Sequence, residues 1–245
     1  MIPKIIHWCW LSNDPVPPKM KRFMDHWHEV LPDYEFMHWN FERFDKSSSR
    51  WVSEAFDNKK YAFAADYIRL YALYHYGGIY MDMDVEVLRP FDDFLSLATM
   101  MCLENSDWQG LKPEVAVFGA EKHSPWIGEC LKGYENRSFV QPDGTLAMTP
   151  LPGVVLESLS KAGYRLQLVH SVGEASALTN GKAIPVFPYD YFSPKSYGTG
   201  AIERTANTYA IHHFEGTWLP RRLRWRIAFW RNLPQWMKRV YYFFK

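Results

Sequence analysis

One stretch of about thirty residues limits what this chain can fold into. Residues 59–76, KKYAFAADYIRLYALYHY, have the composition of a helix and contain neither glycine nor proline. Gly77 and Gly78 then end the helix, and the hydrophobic run IYMDMDVEVL over residues 79–88 is typical of a buried strand. A long helix followed directly by a buried strand favours a chain in which helices and strands alternate.

The rest of the chain continues this alternation. Residues 3–10 predict a first strand, residues 19–30 a helix and LPDYEFMHWN a second strand, which together form a βαβ unit. Further strands are predicted over 99–104, 115–119, 165–169, 184–187 and 208–213, and further helices over 124–135 and 153–163. The pattern therefore predicts an α/β fold with helices on both faces of a sheet. We expect one globular domain over residues 1–218 and an appendage over residues 219–245.

The appendage differs from the rest in charge. Residues 219–245 hold eight Lys or Arg and no Asp or Glu, whereas the other 218 residues hold 20 basic and 27 acidic groups, a net charge of −7. On a helix, the apolar side chains of the appendage share one broad arc, and Pro234 would divide it into two short helices. We therefore expect a basic amphipathic extension that binds an anionic membrane surface. The alternative is a terminal helix packed on the domain.

Other features restrict the partners and the compartment. The acidic domain would repel phosphate, which excludes nucleic acid as an expected partner. Three widely spaced cysteines, Cys9, Cys102 and Cys130, show neither metal-binding spacing nor a disulfide framework and favour a reducing compartment. No run approaches the roughly 20 apolar residues of a membrane span. The expected location is the cytoplasm, peripherally on the inner face of the cell membrane.

Asp82 and Asp84 stand at the end of the buried run. If the strand continues through them, alternation places both carboxylates on the same side. Two such carboxylates repel each other unless a cation lies beside them, and their oxygens suit Mg²⁺ or Mn²⁺ shared with a substrate phosphate. The alternative is a polar strand end whose aspartates cap turns or face water.

Three segments in this order resemble a known family: IPKIIHWCW, AADYIRLYALYHYGGIYMDMDVEVLRP and AIHHFEGTW. They look like the bacterial branch of glycosyltransferase family 32, which shares its core pattern with the catalytic domains of large clostridial glucosylating toxins. The resemblance covers residues 1–218. It implies a GT-A fold, with a mixed central sheet flanked by helices. It also implies retaining, metal-dependent transfer of a hexose or N-acetylhexosamine from a nucleotide diphosphate sugar, with UDP as the favoured nucleotide. The implied acceptor is a glycan or a lipid-linked oligosaccharide in surface (capsule) polysaccharide synthesis.

The same resemblance implies roles for individual residues. Asp84 would ligate Mn²⁺ or Mg²⁺ directly, and Asp82 would reach both the ribose and the metal. Asp66 and Arg69, three apart on the helix, would hydrogen-bond the donor sugar, although an ordinary intrahelical ion pair is the alternative. Tyr80 would approach the same sugar.

Aromatic residues and a histidine would complete the donor site. Trp8 and Trp10 would share a side of the first strand and support the nucleotide base, with Trp10 slightly favoured, and Trp218 would cover the diphosphate. His213 is our choice of third metal ligand, with His212, Glu215 and Thr217 as alternatives. On the acceptor side the candidates are Glu104, Asn105 and Asp143.

Two rival functions remain open from the sequence. The run DMDVEV also resembles the aspartyl-phosphate motif of haloacid-dehalogenase-type phosphatases, although that motif usually lies near the start of the fold. A non-catalytic sugar-binding module would use the aromatic residues as platforms but would leave the aspartate pair unexplained.

Overall fold

A mixed five-stranded sheet forms the centre of the protein. The computed structural model describes residues 1–106, 110–178, 181–216 and 221–232. The strands of the described residues are β1 Ile5–Cys9, β2 Glu35–Trp39, β3 Gly78–Met81, β4 Val85–Val87, β5 Thr99–Leu103, β6 Pro113–Ala120, β7 Arg165–Leu168, β8 Ala183–Val186 and β9 Ala210–His212. The α-helices are α1 Pro18–Val30, α2 Arg50–Asp57, α3 Tyr61–Tyr76, α4 Pro125–Glu135, α5 Leu151–Lys161, α6 Val172–Ser176 and α7 Arg221–Asn232.

The strand order of the central sheet is β2-β1-β3-β6-β5. Strand β1 runs parallel to both β2 and β3, whereas β6 is antiparallel to β3 and β5. The predicted βαβ unit is therefore confirmed as β1-α1-β2. Two small sheets flank the centre, an antiparallel β4–β9 pair and a parallel β7–β8 pair.

Buried apolar side chains lie on both faces of this sheet. One cluster joins helices α2, α3, α4 and α5 to one face, with Trp51, Leu70 and Ile127 among its members. The other cluster includes Trp27 of α1 and the aromatic residues that follow β4 and β8. The sequence prediction of a mixed α/β fold with flanking helices is thus confirmed.

Glycine is required where α3 passes into β3. Gly77 and Gly78 both have positive φ angles, +68° and +108°. A Cβ on Gly78 would lie 2.6 Å from the carbonyl oxygen of Ile5, because β1 packs directly against this turn. The predicted stop of the helix is therefore confirmed, and it sets β3 beside β1.

One strand prediction was wrong. Residues 79–88 do not form a single strand: β3 ends at Met81, and residues 82–84 form a turn before β4. The amide of Asp82 still donates to the carbonyl of Ala116 on β6, at 2.8 Å, and the amide of Val85 donates back to the carbonyl of Asp82, at 3.1 Å. The chain leaves the central sheet here and joins the β4–β9 pair, so strand alternation is not what brings the two aspartates together.

Helix α2 was not predicted from the sequence, whereas a helix in the region of α7 was. Helix α2 begins at an N-cap, Ser49, whose side chain accepts a hydrogen bond from the amide of Val52. Helix α7 agrees with a helical extension, whereas the division expected at Pro234 lies outside the described residues. Among the helices that the structure describes, none has the length and apolar character that crossing a bilayer requires.

Candidate donor and metal site

The candidate site lies where β1 and β3 end, beside helix α3. Arg69 is buried there, and its Nη2 atom lies 3.2 Å from Oδ1 of Asp66 and 3.4 Å from Oδ1 of Asp82. Its Nη1 atom donates to the carbonyl of Val115 on β6, at 2.8 Å. Arg69 therefore ties the helix to the turn between β3 and β4 and to the start of β6. It is more than an intrahelical partner of Asp66.

Tyr80 holds the same aspartate from the strand side. Its hydroxyl donates to Oδ1 of Asp82 at 3.0 Å, and the guanidinium of Arg69 lies 4.4 Å from the centre of its ring. Burial raises the pKa of Asp82, while the charge of Arg69 opposes that rise. One oxygen of Asp82 is thus committed to Tyr80 and Arg69, and 30% of the side chain is exposed.

Asp66 is the more deeply buried of the two carboxyl partners of Arg69. Burial raises its pKa to about 7, against the opposing charge of Arg69. The first strand ends at the same place, because its parallel register sets His7 opposite Tyr80, so half-buried Cys9 and Asp82 each follow two residues later. The site is therefore formed at the carboxyl ends of two parallel strands, where ligands bind in open α/β sheets.

Asp82 and Asp84 meet a histidine from β9. Each of Asp82, Asp84 and His212 offers one ligand atom, and the three atoms lie within 4.8 Å of one another. The β4–β9 pairing explains this arrangement, because it sets His212 opposite Val85, the residue after Asp84. Nε2 of His212 lies 3.6 Å from Oδ1 of Asp84.

These three residues fit a divalent cation chemically. Two carboxylates and an imidazole suit Mn²⁺ and are compatible with Mg²⁺. The turn residue Asp84 is held in place because its Oδ2 atom accepts the amide of Glu215 at 2.7 Å. Acidic groups also outnumber basic ones here. Two basic side chains, Arg69 and His212, are surrounded by four carboxyl groups, those of Asp66, Asp82, Asp84 and Glu114. A bound cation would balance this excess of acidic groups.

His213, our choice from the sequence, points elsewhere. Its Nε2 atom lies 2.9 Å from Glu86 and its ring stacks on Phe23 at 4.7 Å. The structure therefore places His212, one of the alternatives, and not His213 beside Asp82 and Asp84, and the metal-ligand role itself stays a prediction. Glu215, also considered for this role, directs its carboxylate to Lys19, 2.5 Å away, and Thr217 lies outside the described residues.

Sequence reasoning missed Glu114 on β6. Its side chain is 2% exposed and lies 3.1 Å from Nδ1 of His212. Burial disfavours both charged forms, but their mutual attraction prevails: the pKa of Glu114 falls to about 2 and that of His212 rises to about 9. A signal was present in the sequence, since Glu114 is the one charged residue in the apolar run PEVAVFGA.

The tryptophans predicted to hold a nucleotide base have partners of their own. Trp8 stacks on His38, with ring centres 3.9 Å apart, and is half-buried. Trp10 follows β1 and donates its Nε1–H to the carbonyl of Asp14 at 2.9 Å. Trp218 lies outside the described residues. The nucleotide roles of all three stay predictions.

The acceptor-side candidates separate into two places. Glu104 pairs with Lys112 at 2.6 Å, and burial, followed by the nearby charge of Glu114, raises its pKa. Its neighbour Asn105 donates to the carbonyl of Pro194 at 3.1 Å. Asp143 instead occupies an exposed turn, where it accepts hydrogen bonds from the amide and hydroxyl of Thr145. Of these candidates, Glu104 lies near enough to Glu114, the partner of His212, for the two carboxyl charges to interact.

Part of this chain is similar in sequence to known glycosyltransferases. Residues 17–101 match the family model described as the glycosyltransferase sugar-binding region containing the DXD motif. Mannosyl phosphorylinositol ceramide synthase of Saccharomyces cerevisiae is 34% identical over 140 residues, which are 56% of this chain and 35% of that protein. Inositol phosphoceramide mannosyltransferase 3 of Schizosaccharomyces pombe is 37% identical over 98 residues, 38% of this chain and 27% of that protein. The chain thus spans about a third of the length of these curated relatives.

The fold of this chain is similar to that of a solved glycosyltransferase structure. A glycosyltransferase involved in the glycosylation of the major capsid of PBCV-1 superposes with a TM-score of 0.52 and 12% identity, over 91% of this chain and 98% of that one. The described residues therefore have the GT-A type fold predicted from the sequence. Within that fold, residues 17–101 match the DXD-containing glycosyltransferase sugar-binding region.

Proposed function

We propose that the protein is a metal-dependent glycosyltransferase that uses a nucleotide diphosphate sugar. One observation carries the proposal: the side chains of Asp82, Asp84 and His212 lie close together. They lie directly beside the Asp66–Arg69 ion pair. The match of residues 17–101 to a DXD-containing sugar-binding region supports it independently. A phosphatase or a non-catalytic sugar-binding module gains no comparable support.

Each group in the site has a role in this proposal. A divalent cation held by Asp82, Asp84 and His212 would offset the negative charge that develops on the leaving diphosphate. Asp66 and Arg69 would bind hydroxyl groups of the donor sugar. Arg69 and Tyr80 together fix the orientation of Asp82. Retention of the anomeric configuration belongs to the proposal as well, since no candidate nucleophile is required if the acceptor attacks from the face that the diphosphate leaves.

The donor and acceptor are proposed by chemical class. The sequence resemblance favours UDP as the nucleotide, whereas the names of the curated relatives speak of mannosyl transfer to inositol phosphoceramide. We therefore propose a hexosyl donor and place GDP-mannose beside the UDP-hexoses and UDP-N-acetylhexosamines as a test compound. The proposed acceptor is a glycan or a glycosylated lipid, and a role in surface polysaccharide synthesis stays a prediction.

Donor turnover tests this proposal. Slow, Mn²⁺-dependent hydrolysis of one nucleotide sugar without an acceptor is expected from the native chain, and it should fall at least about tenfold in Asp84→Asn. Asp143→Asn is the matched control, because Asp143 forms an exposed turn that asparagine also adopts. Release of phosphate from a generic phosphomonoester, without turnover of any nucleotide sugar, would favour the phosphatase. Sugar binding without turnover of either substrate would favour the non-catalytic module.

A lipid acceptor would be consistent with the exposed face of helix α7. Trp225 and Phe229, one turn apart, are 68% and 69% exposed, and Arg222 and Arg226 on the same face are exposed as well. Aromatic and basic side chains on one face suit the interface of an anionic bilayer. We propose peripheral attachment to the cytoplasmic face of the cell membrane through residues 219–245.

Vesicle binding tests this attachment. The native chain should sediment with vesicles that contain anionic lipid and remain unbound to neutral vesicles. The double variant Trp225→Ser with Phe229→Ser should lose most of that binding, whereas Tyr197→Ser, at a side chain that is 43% exposed, serves as a control for loss of a surface aromatic elsewhere. Equal sedimentation of the native chain and the helix α7 variant would reject the attachment.

A further inference from the structure

Glu114 is an unusual residue for its position. Strand β6 is buried along its whole length, and Glu114 is its one charged residue, with only 2% of its surface exposed. A buried carboxylate costs several kcal/mol unless its oxygens are hydrogen-bonded. Its presence in this strand therefore needs a reason beyond packing.

Both oxygens of Glu114 have donors. Oε1 accepts the amide of Ala116 at 2.8 Å, and Oε2 accepts the hydroxyl of Ser193 at 2.6 Å. Nδ1 of His212 lies 3.1 Å from the same Oε2 atom. Because a carboxylate only accepts, the imidazole must carry a proton on Nδ1, and the opposite ring atom, Nε2, faces Asp84 at 3.6 Å.

We infer that Glu114 is a positioning residue for the metal site, acting through His212. It fixes the Nδ1–H and the ring plane so that Nε2, the atom that would bind the metal, is directed toward Asp82 and Asp84. A carboxylate behind a ligating histidine typically improves metal affinity in this way. The inference rests on the proposed metal site, and it adds Glu114 and Ser193 to the residues on which that site depends.

Replacement of Glu114 by glutamine is a sharp test, because glutamine has the same shape as glutamate but donates hydrogen bonds through its NH₂ group. If the introduced amide oxygen faces His212 and Ser193, the introduced NH₂ group faces the amide of Ala116, and two donors meet. If the NH₂ group faces His212, Nδ1 must accept and Nε2 carries the proton, which blocks it as a ligand. Neither orientation of the introduced side chain keeps both the strand and the histidine tautomer satisfied.

Binding of Mn²⁺ alone to the full chain, measured from the electron paramagnetic resonance of the free ion, gives a readout independent of turnover. We expect Glu114→Gln to weaken Mn²⁺ binding about 10- to 100-fold. In the His212→Ala background the same change should alter the affinity by less than about twofold, because Glu114 then has nothing to position. Ser193→Ala, which keeps the carboxylate, should have a smaller effect of the same sign.

A matched control separates positioning from general loss of stability. Thr99→Val removes another buried hydrogen bond, from Nε1 of Trp126 to the threonine hydroxyl at 2.9 Å, and should leave the Mn²⁺ affinity unchanged. The inference is overturned if Glu114→Gln binds Mn²⁺ as the native chain does, or if it weakens binding equally with and without His212. If Glu114→Gln does not fold, an unchanged affinity in Ser193→Ala overturns it instead. Failure of the native chain to bind Mn²⁺ would count against the proposed function itself.

Discussion

Arg69 and Asp82 are in contact across two elements of the fold: Nη2 of the arginine on α3 lies 3.4 Å from Oδ1 of the aspartate that follows β3. The same nitrogen lies 3.2 Å from Asp66, so one guanidinium balances two carboxyl groups. The side chain of Arg69 is only 7% exposed, which removes most of the screening by water. The first aspartate of the DXD turn is thus oriented by the protein itself.

Removing that guanidinium should destabilise the fold. Arg69→Met keeps much of the volume but leaves the buried Asp66 and the partly exposed Asp82 without their cation, so we expect the free energy of unfolding to fall by about 3 kcal/mol. Urea denaturation followed by tryptophan fluorescence measures this change. Arg50→Met is the control: Arg50 pairs with Glu54 on the surface of α2, its side chain is 72% exposed, and its loss should cost about 0.5 kcal/mol or less. Similar losses in the two variants would contradict the role assigned to Arg69.

Acid should weaken the fold through His7. This buried ring has its Nε2 atom 2.7 Å from the carbonyl of Gly77, while Nδ1 accepts Nε1–H of Trp39 at 3.1 Å, so a second proton has no acceptor. Burial lowers its pKa from 6.5 to about 4. The unfolded chain therefore binds more protons between these values, and the stability present above pH 6.5 is lost as the pH falls toward 4. Between pH 7 and pH 5 the loss from His7 should be roughly 2 kcal/mol.

Comparison with His7→Gln isolates that effect from the other titrating groups. Glutamine can donate to Gly77 and accept from Trp39 without titrating, so its variant should lose less stability between pH 7 and pH 5 than the native protein does. Urea denaturation at the two pH values measures the difference. The same pH dependence in both proteins would remove His7 as the cause.

The first position of β3, Gly78, should not accept a side chain. Gly78→Ala combines a φ angle of +108° with a Cβ placed 2.6 Å from the carbonyl oxygen of Ile5, and we expect it to destabilise the fold by roughly 3 kcal/mol or more. Gly144→Ala is the matched control, with φ at +81° and open space around its Cβ, and should cost about 1 kcal/mol. Thermal or urea unfolding of both variants measures the two losses of stability. Equal losses would mean that the close approach of Gly78 to β1 carries no cost.

Local sequence signals predicted the elements that carry the site. The helix that ends at Gly77, the strand that follows it and the βαβ unit at the start all depend on patterns within a few residues. The same signals located Asp66 and Arg69 on one helix face. Their attachment to Asp82 was not visible, because it depends on the side-by-side packing of α3 and β3.

What the sequence could not supply was register between distant strands. His212 and His213 are adjacent and chemically alike, and only the pairing of His212 with Val85 decides which ring faces Asp84. The turn at residues 82–84 was hidden for a similar reason, since the hydrophobic run continues through Met83 into β4. Glu114 escaped attention because its partners, Ser193 and His212, lie 79 and 98 residues away along the chain.

The central claim is that Asp82, Asp84 and His212 hold one divalent cation. Anomalous X-ray scattering from crystals grown with Mn²⁺ and a nucleoside diphosphate tests it most directly, because the signal locates manganese without assumptions about its ligands. We predict one strong peak within bonding distance of the two aspartates and of Nε2 of His212, and no peak there in crystals of Asp84→Asn. A manganese peak bound to other residues, or a peak at this place that Asp84→Asn does not remove, would contradict the account.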